Sequence, residues 1–364
     1  MKLLQVVCDG KPGGGTNHVL QVLTGPDRQY ESTLITQKNS YLAQKASEAG
    51  VDVITGDFFR SRLDRSAVRR ISDTIELVQP DIVHCHGGRA AFFRSFAKQI
   101  VPTVYTVHGF HFASKESKVS RALGWMGERR SIRSCDHAVF VADFDRELAE
   151  TAHLLPEGKP HTVIHNGIPV PQRTEPGEPL GIGFLGRLVF QKHPELFVEM
   201  IEHLPDVKAV IVGGGELESA VRDEIATRGL SERVTMLGEA DHAMAINYLA
   251  RMEVLVMTPR WEGLPLLPLE AMHLGVPVVS TPVGGVPEVV RHEETGLLAE
   301  TAEDLAAAVR RIRSDIGLKM QLIRRAKDVA ATEFSEATML TALQGVYDQT
   351  VASEAAQSSL VAQR

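Results

Sequence analysis

Short apolar segments rich in β-branched residues alternate along the chain with segments whose apolar residues recur at helical spacing. The first series of strand-like segments comprises 3–7, 32–35, 81–84, 103–107 and 137–141. A Pro-rich stretch at 169–179 interrupts the alternation. A second series then comprises 181–185, 209–212, 234–237, 254–258 and 276–280. Strands that alternate with helices indicate parallel sheets, so the pattern predicts an α/β fold with two Rossmann-like domains, 1–172 and 173–335.

A further helical pattern follows the second domain. Apolar residues at 340, 343, 346 and 347 predict a helix within 336–364. The last residues, from 353 onward, are small and polar, and we expect them to fray.

Composition and charge exclude several classes of protein. A length of 364 residues suffices for two ordinary domains, and a net charge of −7 argues against a nucleic-acid partner. Residues 1–175 hold 22 Lys and Arg against 19 Asp and Glu, so the negative charge lies in the second half. Three cysteines without a pairing motif, no apolar run long enough to cross a bilayer and a start unlike a signal peptide predict a cytoplasmic protein, at most at the inner membrane surface.

The stretch Glu262-Gly-Leu-Pro-Leu-Leu-Pro-Leu-Glu270 carries the most informative chemistry. A predicted strand precedes it, and a helix is predicted over 266–274, with Gly275 as its C-cap. The first-turn amides of Leu266 and Leu267 would lack intrahelical partners and form an anion site. Two carboxylates around an anion site suit a ligand with hydroxyls at both ends and phosphate between them, such as a nucleotide sugar. A loop carboxylate beside an ordinary helix-start Glu is the alternative.

Three other motifs accompany this stretch in order: Gly186-Arg187-Leu188 followed by Lys192, Gly213-Gly-Gly215 and Gly284-Gly-Val-Pro-Glu288. Together they resemble the retaining GT-B glycosyltransferases of family four, from Leu3 to about Phe334. The resemblance implies two domains that face each other across a cleft and a final helix that crosses back to the first domain. It also implies sugar transfer, with retention, from a nucleoside-diphosphate sugar to a hydroxyl acceptor, with no cofactor and no metal.

The cations of the second domain follow its first strand, where doubly wound sheets bind their ligands. Fixed positive charge there stabilises a departing diphosphate more than the bound donor. The resemblance implies that Arg187 and Lys192 bind the diphosphate, that Glu270 binds the ribose hydroxyls and that Glu262 orients the sugar. Glu262 as a nucleophile, as in retaining hydrolases, is the alternative that the resemblance disfavours.

In the first domain, Gly14 and Gly15 follow the first strand and let the backbone approach phosphate. Thr16 and Asn17 are the expected caps of the next helix. The loop is not the dinucleotide fingerprint, because Lys-Pro separates Gly10 from Gly13, which disfavours a dehydrogenase.

Histidines cluster at the predicted strand ends of the first domain. His84, His86, His108 and His111 make a zinc site conceivable, although no cysteine spacing supports one. His108 resembles the family's active-site histidine, which hydrogen-bonds the donor sugar. His86 and Arg89 are candidates for contact with the acceptor.

The segment 115–133 interleaves Lys and Arg with Leu123, Trp125 and Met126. A basic amphipathic helix can lie on an anionic membrane, although a solvated helix with an apolar core stripe is the commoner explanation. Membrane contact would suit a lipid-linked acceptor.

Two rival functions remain open from the sequence. One is a nucleotide-sugar or glycan-binding protein that kept the fold without turnover. The other is an NAD-dependent oxidoreductase with two Rossmann domains, which would leave both glutamates unexplained.

Overall fold

The computed structural model of the chain describes residues 1–26, 28–58, 64–110, 112, 117–172 and 177–362. His111, Lys115 and residues 173–176 of the Pro-rich connector lie outside these ranges. The chain forms two compact units, Met1–Gly167 with Glu336–Arg364, and Ile168–Ser335. The division falls between Gly167 and Ile168, whereas the connector suggested 172.

The first unit contains a seven-stranded parallel sheet in the order β3-β2-β1-β4-β5-β6-β7. Its strands are β1 (Lys2–Val7), β2 (Glu31–Gln37), β3 (Asp52–Gly56), β4 (Ile82–His86), β5 (Thr103–Val107), β6 (His137–Phe140) and β7 (His161–Val163). Its first six helices are α1 (Gly14–Thr24), α2 (Tyr41–Glu48), α3 (Arg65–Val78), α4 (Gly88–Arg94), α5 (Lys118–Ser134) and α6 (Asp143–Thr151). The strand order reverses between β1 and β4, which opens a crevice at their carboxyl ends.

The second unit contains a six-stranded parallel sheet in the order β10-β9-β8-β11-β12-β13. Its strands are β8 (Gly181–Leu185), β9 (Ala209–Val212), β10 (Val234–Gly238), β11 (Met252–Met257), β12 (Val278–Ser280) and β13 (Leu297–Leu298). Its helices are α7 (Pro194–Glu202), α8 (Glu218–Thr227), α9 (His242–Leu249), α10 (Leu267–Leu274), α11 (Val286–Val289), α12 (Ala302–Ser314) and α13 (Ile316–Thr332). Here the order reverses between β8 and β11.

The last helix, α14 (Glu336–Ala362), belongs to the first unit. Leu343 and Tyr347 are fully buried in a core cluster with Leu3 and Val104 of the first sheet. Burial of each such side chain contributes about 1.5–3 kcal/mol, which fixes the helix on this unit. Helix α14 continues to Ala362, and its last segment is rich in alanine, the best helix former. Fraying from 353 stays a prediction. No helix in the described ranges is long and apolar enough to span a membrane.

Candidate active site

The crevice of the second unit brings the loops that follow β8 and β11 together. Arg260 donates its amide to the Gln191 carbonyl at 2.8 Å, and Gln191 Nε2 donates to the Trp261 carbonyl at 3.1 Å. The hydroxyl of Thr258 donates to the His193 carbonyl at 2.8 Å. These bonds hold the backbone of Lys192 beside that of Glu262.

Lys192 and Glu262 form an ion pair through Nζ and Oε1. Their side chains are only 25% and 11% exposed, so water screens the pair weakly. Arg187 follows β8 directly and is exposed. The two predicted cations and the first glutamate therefore lie on the ligand-binding edge of this sheet.

The glycine triplet packs on the loop that carries Arg187. Leu188 donates its amide to the Gly214 carbonyl at 2.8 Å, and Gly186 donates to the Val212 carbonyl at 2.9 Å. Gly213 has φ 135°, and a Cβ there would lie 2.0 Å from the carbonyl oxygen of Gly186. Glycine is therefore needed at this position, because the backbone of the triplet lies against the loop that carries Arg187.

Helix α10 begins where the sequence places it, and Gly275 closes it in the left-handed conformation (φ 76°), so both predictions are confirmed. Its N-cap residue, Leu266, makes no side-chain capping bond, and the first helical residue is Leu267. Glu270 is 16% exposed in its side chain, and burial raises its pKa from 4.5 to about 7. His242 Nε2 lies 3.8 Å from Glu270 Oε1.

In the first unit, helix α1 begins at Gly14, earlier than expected. Thr16 and Asn17 do not cap it, so that prediction is wrong: the cap position is Gly13, without a side-chain bond. The Thr16 hydroxyl instead donates to the Lys11 carbonyl at 2.6 Å, which folds the loop over the first turn. An added Cβ on Gly15 would meet the His108 ring at 3.6 Å, so the loop and this histidine are neighbours.

The strand-end histidines separate into two kinds. His84 uses both ring nitrogens, with the Tyr347 hydroxyl and the Thr106 hydroxyl each at 2.7 Å, and is a buried structural residue. His86 is 5% exposed, with Nε2 2.8 Å from Gln5 Oε1 and Nδ1 3.3 Å from His108 Nε2. His108 is half-buried and lies between His86 and the glycine loop.

Arg89 lies in the first turn of α4, and its Nη1 donates to the carbonyl of Phe58 at 3.0 Å. It therefore anchors the backbone beyond β3 at the same edge of the sheet.

Sequence reasoning missed His18. It lies in α1, one turn after the glycine loop, and its ring is 4.9 Å from that of His108 and 5.6 Å from that of His86, centroid to centroid. It is 1% exposed, and burial lowers its pKa from 6.5 to about 4. The sequence did offer one signal: His18 lies four residues before Val22, which places both on the buried face of α1.

Two parallel sheets, each with polar side chains at its topological switch point, define a two-domain doubly wound α/β protein. Two family models match: "Glycosyltransferase Family 4" over residues 12–171 and "Glycosyl transferases group 1" over residues 170–329. The chain belongs to this family of GT-B glycosyltransferases, which removes the oxidoreductase alternative.

Curated relatives and solved structures agree with this family. The lipopolysaccharide core biosynthesis mannosyltransferase LpsB of Rhizobium meliloti is 38% identical over 41% of this chain and 49% of its own length, so the match spans about half of that protein. The UDP-Gal:alpha-D-GlcNAc-diphosphoundecaprenol alpha-1,3-galactosyltransferase of Escherichia coli is 28% identical over 76% of this chain and 77% of its own length. Anabaena Alr3699/HepE in complex with UDP-glucose has a TM-score of 0.82 at 19% identity, covering 96% of this chain and all of that one.

Proposed function

We propose that the protein transfers a sugar with retention from a nucleoside-diphosphate sugar to a hydroxyl of a glycan or lipid-linked acceptor. The observation that carries this proposal is the Lys192–Glu262 pair beside Arg187 and the uncapped start of α10. The similarity to a protein whose structure holds UDP-glucose supports the choice of donor.

In this mechanism the charged side chains and helix amides of the second unit have separate roles. Arg187, Lys192 and the amides of Leu266 and Leu267 hold the diphosphate and stabilise the charge that grows on it as the glycosidic bond breaks. Glu270 accepts hydrogen bonds from the ribose hydroxyls, which favour its charged form. These groups supply the stabilisation that Mg²⁺ provides elsewhere, so we expect no metal requirement.

Glu262 orients the donor sugar rather than attacking it. Its ion pair with Lys192 lowers its nucleophilicity and holds it beside the phosphate groups. The acceptor hydroxyl then attacks from the face that the diphosphate leaves, with the phosphate as the base. The Gly14–Gly15 loop and His108 of the first unit are further candidates for hydrogen bonds to the donor.

Transfer of labelled sugar from a panel of nucleotide sugars, with proton NMR of the product anomer, tests the proposal. We expect transfer from at least one nucleoside-diphosphate sugar, with the donor's anomeric configuration kept. Inversion would overturn the retaining mechanism. Tight donor binding without transfer to any acceptor tested, glycan or lipid-linked, would favour a binding protein without turnover.

An exposed apolar and basic surface on the first unit supports a lipid-linked acceptor. Along α5, Leu123 and Met126 are 53% and 51% exposed, beside Arg130, whose guanidinium lies 3.8 Å from the ring centroid of Phe96, and exposed Arg133. Apolar side chains that insert and cations that meet anionic headgroups are the features of an interfacial helix.

Sedimentation with vesicles tests this membrane contact. We expect binding to vesicles that contain anionic phospholipid and its loss in Met126→Asp. Met320→Asp is the matched control, because Met320 is 52% exposed on the other unit. Equal binding by both variants would remove α5 from the proposal.

A further inference from the structure

Three imidazoles of the first unit surround one point. The ligand atoms of His18, His86 and His108 lie within 4.8 Å of one another. Their ring centroids are 4.9, 5.6 and 5.6 Å apart. In a tetrahedral site with metal–nitrogen bonds of about 2.0–2.1 Å, neighbouring nitrogens are about 3.3 Å apart and imidazole centroids about 5 Å apart. The His86–His108 nitrogen separation of 3.3 Å matches the first spacing, and the His18–His108 centroid separation of 4.9 Å matches the second. The two centroid distances to His86, 5.6 Å each, need a small movement of the rings.

The hydrogen bond to Gln5 orients His86 for coordination. Gln5 Oε1 is an acceptor, so the nitrogen 2.8 Å from it, His86 Nε2, carries the proton. His86 Nδ1 then presents its lone pair to the cluster, 3.3 Å from His108 Nε2. Metal-binding histidines are oriented in this way by a partner on the second ring nitrogen.

His18 is the member that ordinary packing does not explain. Within the described residues, neither of its ring nitrogens makes a hydrogen bond of normal geometry. The Asn166 side chain faces the ring, and within the part of the chain that the structure describes its Oδ1 is likewise without a hydrogen-bond partner. A buried polar group without a partner is costly, and His84 nearby has both nitrogens satisfied.

We propose that His18, His86 and His108 bind one divalent transition-metal ion of the Zn²⁺ class, with the fourth position left to water, and that the ion inhibits sugar transfer. Three imidazoles without a carboxylate select Zn²⁺, Co²⁺ or Cu²⁺ over Mg²⁺ and Ca²⁺. Inhibition is expected because coordination engages His108, the residue proposed to hydrogen-bond the donor. The metal site stands on geometry alone, whereas the effect on transfer rests on the proposed function.

Titration of the untagged full-length protein with Co²⁺ tests the site, because bound Co²⁺ reports its ligand geometry through visible absorption. We expect one equivalent in a tetrahedral environment, displaced by Zn²⁺. His18→Phe should weaken this binding by about tenfold or more. His242→Ala, which removes an exposed histidine of the other unit, should leave it unchanged.

The variant Gln5→Glu tests the metal site while keeping all three histidine ligands. A carboxylate on His86 Nε2–H makes the imidazole a stronger ligand, so binding should tighten by about tenfold. Thermal unfolding of each variant shows that the fold is intact. Absence of a tetrahedral Co²⁺ spectrum, or binding by His18→Phe as tight as by the wild type, overturns the site.

Transfer assays with added Zn²⁺ test the inhibition. We expect loss of activity at one equivalent, recovery with EDTA, and a higher Zn²⁺ requirement in His18→Phe, measured against that variant's own rate without metal. Normal transfer with the site filled overturns the inhibitory role alone. If no donor supports transfer, the proposed function fails while the Co²⁺ titration still decides the site.

Discussion

At the scale of residues, the two charged groups beside the proposed phosphate site differ in what holds them. Lys192 is fixed by an ion pair with Glu262, whereas Arg187 is exposed at the loop after β8. Glu270 stands apart, because its raised pKa comes from burial.

Arg187→Ala and Lys192→Ala should each lower kcat by at least about tenfold, a barrier increase of about 1.4 kcal/mol. Lys192→Ala should cost more, because it also leaves the carboxylate of Glu262 without its partner. Steady-state kinetics with the identified donor measure both, and Arg324→Ala, at an exposed site away from these loops, is the control. Wild-type kcat in both variants would exclude the phosphate assignment.

Glu270 should make the unliganded protein less stable as pH rises. Folding raises its pKa from 4.5 to about 7, so its stabilisation is complete below about 4.5 and is lost as pH rises through about 7. Urea unfolding at about pH 5 and about pH 8 should show a loss of up to about 3 kcal/mol that Glu270→Gln does not share. The same pH dependence in both proteins would mean that Glu270 does not titrate in this range.

At the scale of elements, glycines set the distances between the loops of the second unit. Gly284 has φ 56°, and a Cβ there would lie 1.8 Å from the carbonyl oxygen of Glu262. Gly285 donates its amide to the same oxygen at 3.3 Å. The loop before α11 thus fixes the backbone of the Glu262 loop.

Gly284→Ala should displace Glu262 and lower kcat/KM by about tenfold or more, because small displacements at a reacting centre are costly. Gly229→Ala is the matched control: its φ is 68°, but nothing lies within 4 Å of an added Cβ. Both variants should lose about 1 kcal/mol of stability from the left-handed backbone, Gly284→Ala should lose more because of its clash, and only Gly284→Ala should lose activity. Kinetics beside thermal unfolding separate the effects, and equal activity in the two would contradict this account.

At the scale of the whole molecule, the groups proposed for catalysis come from both units, and all of them are protein groups. The diphosphate has two cations and the start of α10 in the second unit, while the first unit offers the glycine loop and His108. The three cysteines, Cys8, Cys85 and Cys135, are buried and unpaired.

Sugar transfer should therefore persist in excess EDTA at a rate equal to or above that without chelator. A rate that rises would indicate removal of an ion from the histidine cluster. Assays with and without added Mg²⁺ or Mn²⁺ complete the test. Loss of activity in EDTA, with rescue by either ion, would contradict metal-independent transfer.

The sequence by itself determined the strand and helix series, the placement of α10 with Gly275, and the loops that carry Arg187, Lys192 and Glu262. These features follow from periodicity and from local rules for helix ends, which depend on neighbours in the chain. It missed β7 and β13, whose three and two residues carry little periodic signal, and β3, in which only Val53 and Ile54 are apolar.

Only the tertiary structure decided which histidines meet. His84 and His86 are two residues apart, yet one is paired with Tyr347 of the last helix and the other with His108. His18 joins them because α1 packs behind β1, and β1 lies beside β4 in the sheet. Such contacts depend on residues distant in the chain, as does the burial that sets the pKa of Glu270. Local sequence patterns do not predict these contacts. The histidine cluster can therefore be recognised only in the folded structure.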